Sequence, residues 1–183
     1  AVLWTPPPVA HGAARLTVLD VGQGLASVVE TRAHVLLYDT GPPVGHTDSG
    51  RITGLPFLRS RGISHVDTLI VSHSDIDHAG GARSIVETIP IPTTLGQTNP
   101  PIAQMRPCKY GQNWWWDGVH FLMLGPSARV RDGSDNNGSC VLKISTQAGA
   151  FLLPGDIEKA GETDLMLRKK MLSATVVIAP HHG

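Results

Sequence analysis

The chain has 183 residues, of which 41% are apolar, and its 15 basic side chains balance 15 acidic ones. This length and composition suffice for one buried core and give no sign of two. A formal charge of zero excludes a global basic field, so binding of a polyanion would depend on metal ions or on local basic patches. The candidates for such patches are Arg59 with Arg61, Arg129 with Arg131, and Arg168-Lys169-Lys170.

The two ends of the chain differ from its middle. Residues 1–14 include Pro6-Pro7-Pro8, which predicts a stiff, extended linker rather than a first structural element. The folded domain is therefore predicted over 15–183. The chain stops at His181-His182-Gly183, directly after a strand-like run, which predicts a domain that is incomplete at its C-terminus. No stretch approaches the roughly 20 apolar residues that would span a bilayer.

The first part of the domain is predicted to be rich in strands. Runs of Val and Leu at 15–20, 25–30 and 34–38, separated by turn residues, predict an antiparallel meander. A helix follows at 52–61, although Pro56 is compatible with it only in the first turn. The apolar run 66–71 predicts a buried strand, and a helix is predicted at 78–88.

The remainder is predicted to repeat this arrangement. A Pro-rich stretch at 90–107 predicts a short strand and a loop, and further strands are predicted at 119–124, 140–145, 150–153 and 174–179. Apolar residues at helical spacing predict a surface helix over 158–172. The element order indicates two similar halves, each a sheet with helices on its outer face.

Metal ligands are concentrated directly after the predicted strand 66–71. His73, Asp75, Asp77 and His78 fall within six residues. The first two alternate along an extended backbone and the next two stand at a helix entry, so all four can be directed at one point. A polar turn whose carboxylates cap a helix is the alternative, but the density of ligands favours a two-metal site.

Further candidate ligands follow other predicted strands. Asp39, Asp156 and the pair His181-His182 each stand at or just beyond a strand end. Taken singly, each suits a turn or a surface position. Together with the turn at 73–78 they complete two coordination shells, because the loops beyond strand ends converge at one edge of an α/β layer.

The order of these motifs resembles the metallo-β-lactamase-fold hydrolases. Those proteins carry a strand ending in Asp, then His-x-His-x-Asp-His, a His-bearing turn, an Asp after a strand, and a final His. This sequence departs at Asp75, where most members have their second His, and at Asp135-Asn136, where they have a His. Both departures resemble the β-lactamase-like domain of the ComEC family of bacterial competence proteins. The segments 19–24, 38–41, 77–81, 117–119, 136–139, 153–158 and 180–183 resemble it too.

The resemblance implies an αββα sandwich, truncated at the C-terminus, with metals at one edge. It implies that Asp77 and Asp156 are the catalytic residues. It also implies that Asp39 orients the ligand turn by hydrogen bonding, as ligating groups require. Carried over position by position, His73 and Asp75 would bind the first metal, Asp77 and His78 the second, with Asp156 bridging both, His181 or alternatively His182 joining the second, and Asp135 or Asn136 forming the weak third element.

The expected chemistry follows from this ligand set. A carboxylate in place of imidazole at Asp75 makes the site harder, which favours two Mn²⁺ ions, with Mg²⁺ and Zn²⁺ as alternatives. Two ions about 3.5–4 Å apart can activate water and neutralise charge on a phosphate, so phosphodiester hydrolysis is the natural reaction. No small-molecule cofactor is expected.

The resemblance also implies a biological setting. The chain would be the periplasmic nuclease domain of a cytoplasmic membrane protein, degrading the non-transported DNA strand during natural transformation. Its partners would be DNA and the membrane channel and accessory domains of the same polypeptide. Two alternatives remain open: a metal-dependent hydrolase of a small ester, lactone or thiolactone, and a non-catalytic module that guides DNA.

Two further features have more than one interpretation. The run Trp114-Trp115-Trp116 could stack on bases, but beside an Asp-Gly turn the packing of a sheet edge is favoured. Cys108 and Cys140 match no thiolate metal motif, and they could form a disulfide in an oxidising compartment.

Overall fold

The computed structural model describes residues 6–97, 102, 105–130 and 134–182, without the side chain of His182. The described helices are α1 (Leu55–Ser60), α2 (Ile76–Ala79), α3 (Ala82–Val86) and α4 (Lys159–Met166), with a π-helical turn at Gly50–Gly54 and 3₁₀ turns at Asn136–Gly138, Lys169–Met171 and Pro180–His182. The described strands are β1 (Arg15–Val18), β2 (Ala26–Glu30), β3 (Val35–Thr40), β4 (Pro43–Val44), β5 (Thr47–Asp48), β6 (Thr68–Ile70), β7 (Thr93–Gly96), β8 (Arg106–Pro107), β9 (Asn113–Trp116), β10 (Val119–Met123), β11 (Leu142–Ser145), β12 (Ala150–Leu153) and β13 (Val176–Val177).

Two sheets pack face to face with helices on their outer surfaces. The first has the order β1-β2-β3-β6-β7-β8, and the second has the order β13-β12-β11-β10-β9. Strands β1, β2 and β3 pair antiparallel, whereas β3, β6 and β7 run parallel. The predicted αββα sandwich is therefore confirmed.

Three apolar clusters hold these layers together. Side chains of both sheets, among them Ile70, Phe121 and Leu142, interdigitate in the central cluster. Helices α1 and α3 cover the outer face of the first sheet through Leu58 and Ile85. Helix α4 covers the second sheet. The burial of apolar surface between these layers is the main stabilising contribution to such a sandwich.

A buried tyrosine links the two sheets near the edge where the site lies. The Tyr38 hydroxyl oxygen is 2.7 Å from the carbonyl oxygen of Cys140 and 3.1 Å from that of Leu153. Burial, followed by the charges of Asp39 and Asp156, raises the pKa of Tyr38. The hydroxyl therefore remains a donor to the second sheet.

The predicted elements of the first half agree with the structure except in one helix. The antiparallel meander is confirmed, and Pro56 lies in the first turn of α1. The single helix predicted at 78–88 is wrong, because α2 and α3 are separate helices that meet at Gly80-Gly81. A Cβ on Gly81 would stand 2.5 Å from the carbonyl oxygen of Thr40 in β3. The glycine permits this close approach of the chain to the sheet.

The second half shows larger differences from prediction. The helix predicted over 158–172 ends at Met166 and a 3₁₀ turn follows, while the strand predicted at 174–179 comprises two residues. The Pro-rich stretch contains β7 and β8, and residues 98–101 and 103–104 lie outside the described part. Strand β9 was not expected as a strand. It forms a hairpin with β10 across Asp117-Gly118.

The three tryptophans of β9 mainly pack, as the sequence favoured. Trp114 and Trp116 lie with ring centroids 5.1 and 5.0 Å from that of Phe121 in the central cluster. Trp115 points outward, is 64% exposed, and stacks on His120.

Cys108 and Cys140 are joined by a disulfide, with Cα atoms 5.7 Å apart. The bond connects the chain after β8 in the first sheet to the start of β11 in the second. A separate observation concerns the helices: none that the described residues form is long and apolar enough to cross a bilayer.

The Asp117 carboxylate ties the β9–β10 turn to the loop between β2 and β3. Its Oδ2 accepts hydrogen bonds from Thr31 Oγ1 (2.7 Å), the Ala33 N–H (2.8 Å) and His34 Nδ1 (3.0 Å). The His34 and Thr31 bonds, opposed by slight burial, lower the pKa of Asp117 to about 2.

We expect Asp117→Ala to lower the free energy of unfolding by about 1–3 kcal/mol at pH 7, because it removes one acceptor shared by three donors. Since the folded pKa is depressed, the ionised contribution is complete above the ordinary value of 3.8 and is lost as pH falls through about 2. Urea denaturation of the wild type, Asp117→Ala and Asp117→Asn measures both effects. Equal stability of wild type and Asp117→Ala would contradict this role.

Candidate metal centre

Three buried side chains bring metal-ligand atoms together at one edge of the sandwich. His73 follows β6, His78 lies in α2, and Asp156 follows β12. One ligand atom from each lies within 4.8 Å of the other two. His78 Nε2 is 3.3 Å from Asp156 Oδ2, and the two imidazole centroids are 4.3 Å apart. The edge thus gathers ligands from both sheets, and we call this set the three-ligand cluster.

Asp39 supports the cluster from beneath. It stands in β3 with a left-handed φ of 59° and is buried. Its Oδ1 accepts from the Ser72 N–H (2.6 Å), and its Oδ2 accepts from Ser72 Oγ (2.8 Å) and His78 Nδ1 (2.9 Å). Ser72 Oγ also lies 2.9 Å from His73 Nδ1. Asp39 therefore acts on both histidines, on one directly and on the other through Ser72.

The ring orientations suit metal binding. Both Nδ1 atoms contact supporting oxygens, which directs the Nε2 atoms to the cluster, as in metal-bound histidines with an outer partner. His73 Nε2 is buried and has no hydrogen-bond partner among the described residues; the Oδ2 of Asp75 is 3.5 Å away. Two imidazole nitrogens and a carboxylate oxygen suit a divalent transition ion. The residues present therefore fit such an ion.

The charges of the cluster are coupled. Burial alone would lower the pKa of His78, but hydrogen bonds to Asp156 and Asp39 raise it to about 10. Burial alone would raise the pKa of Asp156, but the hydrogen bond and charge of His78 bring it below its ordinary value. The metal-free cluster is therefore held by an ion pair, and a bound ion would take the place of the His78 proton.

The two remaining carboxylates of the ligand turn lie outside the three-ligand cluster. Asp75 occupies the residue before α2, and its side chain is 53% exposed beside His73. Asp77 is half-buried in the first turn of α2, where its carbonyl oxygen accepts from the Leu25 N–H. An ion bound by either carboxylate would lie at the solvent side of the cluster.

The C-terminal candidate approaches the site through its backbone. The His181 N–H donates to Asp156 Oδ1 over 3.2 Å, and His181 has a left-handed φ of 52°. Its exposed side chain is not part of the three-ligand cluster. The side chain of His182 lies outside the described residues.

The third element supports its neighbours. Asp135 Oδ2 accepts from the N–H and hydroxyl of Ser74 (3.1 and 2.5 Å), next to His73 in the ligand turn. Asn136 Nδ2 donates to Glu158 over 3.2 Å. Neither residue is in the three-ligand cluster.

Sequence reasoning missed three residues that position the cluster. Ser72 connects Asp39 with His73, as described above. Asn137 is buried, and its Oδ1 accepts from the N–H groups of Glu158 and Gly161, both over 2.9 Å, at the start of α4. The Ser139 hydroxyl accepts from the Asp156 N–H over 3.3 Å. The segment 136–139 carried a signal for the last two, although it did not indicate which side chains face inward.

A cleft of about 370 Å³ opens beside the cluster and is bounded by His78 and Asp156. Its other walls are the turn at 22–25, Val18 and residues 178–179, and no Arg or Lys lines it. The turn contacts α2 directly, since a Cβ on Gly24, which has a φ of 116°, would stand 2.1 Å from the carbonyl oxygen of Asp77.

We expect Asp75→His to keep the fold, because Asp75 is half-exposed, and to shift metal preference towards Zn²⁺, since imidazole is softer than carboxylate. Competitive binding of Mn²⁺ and Zn²⁺ to the purified chain measures the shift. Asp75→Asn, which removes the charge without adding imidazole, is the matched control. Unchanged relative affinities in Asp75→His would exclude Asp75 from the coordination shell.

Comparison with known proteins relates this geometry to sequence families. The description "Metallo-beta-lactamase superfamily" matches residues 19–182. The chain is 36% identical over 170 residues to the uncharacterized protein YcaI of Escherichia coli K12, covering 92% of this chain and 22% of that protein. It is 36% identical over 185 residues to competence protein ComA of Neisseria gonorrhoeae, covering 100% and 26%. It is 33% identical over 171 residues to recombination protein 2 of Haemophilus influenzae, covering 92% and 21%. The chain spans only about a fifth to a quarter of these relatives.

Solved structures with the same fold are metallo-β-lactamases. MEM-A1, a subclass B3 enzyme from a soil metagenome library, matches with a TM-score of 0.65 and 16% identity over 97% of this chain and 80% of that one. The Rm3 metallo-beta-lactamase matches with a TM-score of 0.63 and 15% identity over 97% and 79%. At this identity the likeness shows the fold alone.

Proposed function

The chain belongs to the metallo-beta-lactamase superfamily, and we propose that it is the metal-dependent nuclease domain of a ComEC-like DNA-uptake protein. The observation that carries the proposal is the buried cluster of His73, His78 and Asp156, supported by Asp39. Similarity to competence protein ComA and to ComE operon protein 3 of Bacillus subtilis supports DNA as the substrate.

Each residue of the cluster has a physical role in this proposal. A divalent ion would supply water activation and charge neutralisation on a phosphodiester. His73, His78 and Asp156 would hold it, with Asp75 and Asp77 extending the shell to a second ion, and Mn²⁺ is the metal we favour. Asp39 and Ser72 fix the imidazole orientations, which costs no reorganisation during reaction. We propose Asp77 and Asp156 as the catalytic carboxylates.

The disulfide supports a location outside the cytoplasm. Disulfides persist in oxidising compartments and are rare in the cytosol. Cys108 and Cys140 are joined here, so we place the domain on the periplasmic side of the cytoplasmic membrane. Its proposed partners are DNA and the membrane channel and accessory domains of the same polypeptide, and its proposed task is removal of the non-transported strand.

One observation favours a second candidate, a hydrolase of a small ester or lactone. The cleft beside the cluster has no cationic lining, and Val18, Leu25 and Ile178 make one side of it apolar. Such a lining suits a small uncharged substrate. A non-catalytic DNA-guiding module is a third candidate, since Asp75 is largely exposed and Asp77 lies outside the three-ligand cluster. Metal content of the purified chain distinguishes this last case.

A substrate panel tests the proposal. The chain is incubated with labelled single-stranded and duplex DNA, a nitrophenyl ester and a lactone, with Mn²⁺, Mg²⁺ and Zn²⁺ in turn. We expect DNA cleavage that is strongest with Mn²⁺ and little turnover of the esters. Efficient lactone or ester turnover without DNA cleavage would replace the nuclease by the second candidate.

A further inference from the structure

A second concave surface, outside the metal centre, is rich in cationic side chains. Three adjoining hollows form it. The largest, of about 670 Å³, is lined by Lys109, Tyr110, Arg129 and Arg168. The next, of about 480 Å³, shares Lys109 and Tyr110 with the first and adds Arg106. The third, of about 250 Å³, shares Arg106 with the second. We call this continuous depression the basic groove.

The charge of the basic groove is unbalanced. Asp164 is the one carboxylate among the described residues that line it, and it pairs with Arg168. Arg106, Lys109 and Arg129 are exposed, and within the described part of the chain none of them forms an ion pair. In a chain with no net charge, three such cations along one depression make a local site for a polyanion.

Aromatic rings accompany these cations. Tyr110 is 45% exposed, and the Arg168 guanidinium carbon lies 4.4 Å from its ring centroid. Trp114 and Trp116 line the third hollow. A cationic groove with interleaved aromatic rings binds the phosphates of a single strand and stacks its bases. An unstructured anion such as a lipid headgroup would gain nothing from the rings.

The basic groove begins close to the metal centre. Cys108 lines its largest hollow and is joined to Cys140, whose N–H donates to the carbonyl oxygen of Ser72, the residue before His73. Helix α4 makes a second connection. Ten residues separate Glu158, next to the cluster, from Arg168, which is about 15 Å or less at helical rise. A short stretch of nucleic acid can therefore reach both sites.

We propose that the basic groove binds a single strand of DNA that leads to or from the metal centre. Arg106, Lys109 and Arg129 contact its phosphates, and Tyr110 stacks on a base. The inference rests on the proposed function for the identity of the polymer, and it adds the surface that holds the polymer.

Binding without metal tests this surface separately from catalysis. The probe is a fluorescent oligothymidylate of about 12 nucleotides, titrated with the chain in the presence of a chelator. We expect Lys109→Glu and Arg129→Glu each to weaken binding about fivefold at low salt and together more than tenfold. The slope of log affinity against log salt should shrink by about 1 for each cation removed.

Arg59→Glu is the matched control, because it makes the same charge change on exposed α1, which covers the other sheet. It should leave the affinity within about twofold of the wild type. Equal losses in Arg59→Glu and Lys109→Glu would show a general charge effect and would overturn the basic groove. So would an unmeasurable affinity of the wild type for the probe.

Tyr110 separates nucleic acid from other polyanions. We expect Tyr110→Ala to weaken binding of the oligothymidylate at least fivefold and to leave binding of an abasic strand of the same length unchanged, whereas Tyr110→Phe retains the affinity. Equal effects on both strands would overturn stacking and leave a plain anion site. Absence of DNA hydrolysis by the wild type would overturn the proposed function without altering this result, because binding is measured without metal.

Discussion

Asp156→Ala is expected to lower the rate of DNA hydrolysis at least about 10³-fold, equivalent to about 4 kcal/mol of transition-state stabilisation. Asp156 is the one carboxylate of the three-ligand cluster, and its loss removes both a metal ligand and the charge partner of His78. Single-turnover cleavage of labelled DNA at saturating Mn²⁺ measures the effect. A thermal melt of the same sample shows whether the fold is retained.

Two other variants complete this test. Glu87→Ala, the control, removes an exposed carboxylate that pairs with Arg83 on α3 and should leave the rate unchanged. The double variant Asp77→Ala with Asp156→Ala should be inactive. Wild-type rates from it would reject the metallonuclease and favour the DNA-guiding module. His78→Ala is a poorer test, because His78 is buried and hydrogen-bonded to Asp39.

Asp39→Ala is expected to cost about 3–5 kcal/mol of folding free energy in the metal-free chain, because it leaves His78 charged and buried with only one carboxylate partner. It also removes the acceptor of both Ser72 donors. Asp39→Asn should cost less, since Asn also tolerates the left-handed backbone and can still accept one of these bonds. Urea denaturation of the three proteins at pH 7 measures the difference.

The same comparison has a defined pH dependence. Burial opposes and the two carboxylates support a pKa of about 10 for His78. Because this folded value is raised, the stabilisation is complete below the unfolded value of about 6.5 and is lost as pH rises through about 10. The stability difference between wild type and Asp39→Ala should therefore narrow between pH 7 and pH 10. A constant difference would show that the pairing of Asp39 with His78 contributes little.

The architecture could be predicted from the sequence because several motifs had to occur in one order. The meander preceding Asp39 and the buried strand preceding His73 are confirmed as β1 to β3 and β6. Helix lengths could not be predicted in the same way. The break between α2 and α3 depends on Gly81 approaching the backbone of β3, a tertiary contact that local periodicity does not report.

The candidate site was predictable as a set of residue types but not as a geometry. Spacing alone directed all four residues of the ligand turn to one point. In the structure Asp75 precedes α2 with an extended ψ of 141°, and its side chain turns towards solvent. The roles of Ser72 and Ser139 were not predictable, since a serine hydroxyl becomes informative only when its neighbours in space are known.

Dependence of DNA hydrolysis on added metal tests the central claim most directly. The chain is freed of metal with a chelator, dialysed, and given labelled single-stranded DNA with and without Mn²⁺. The metallonuclease account predicts no cleavage without metal and full recovery on adding Mn²⁺, with bound ion detected in the same sample. Cleavage that persists without metal, or a metal-loaded chain that leaves DNA intact, would contradict it.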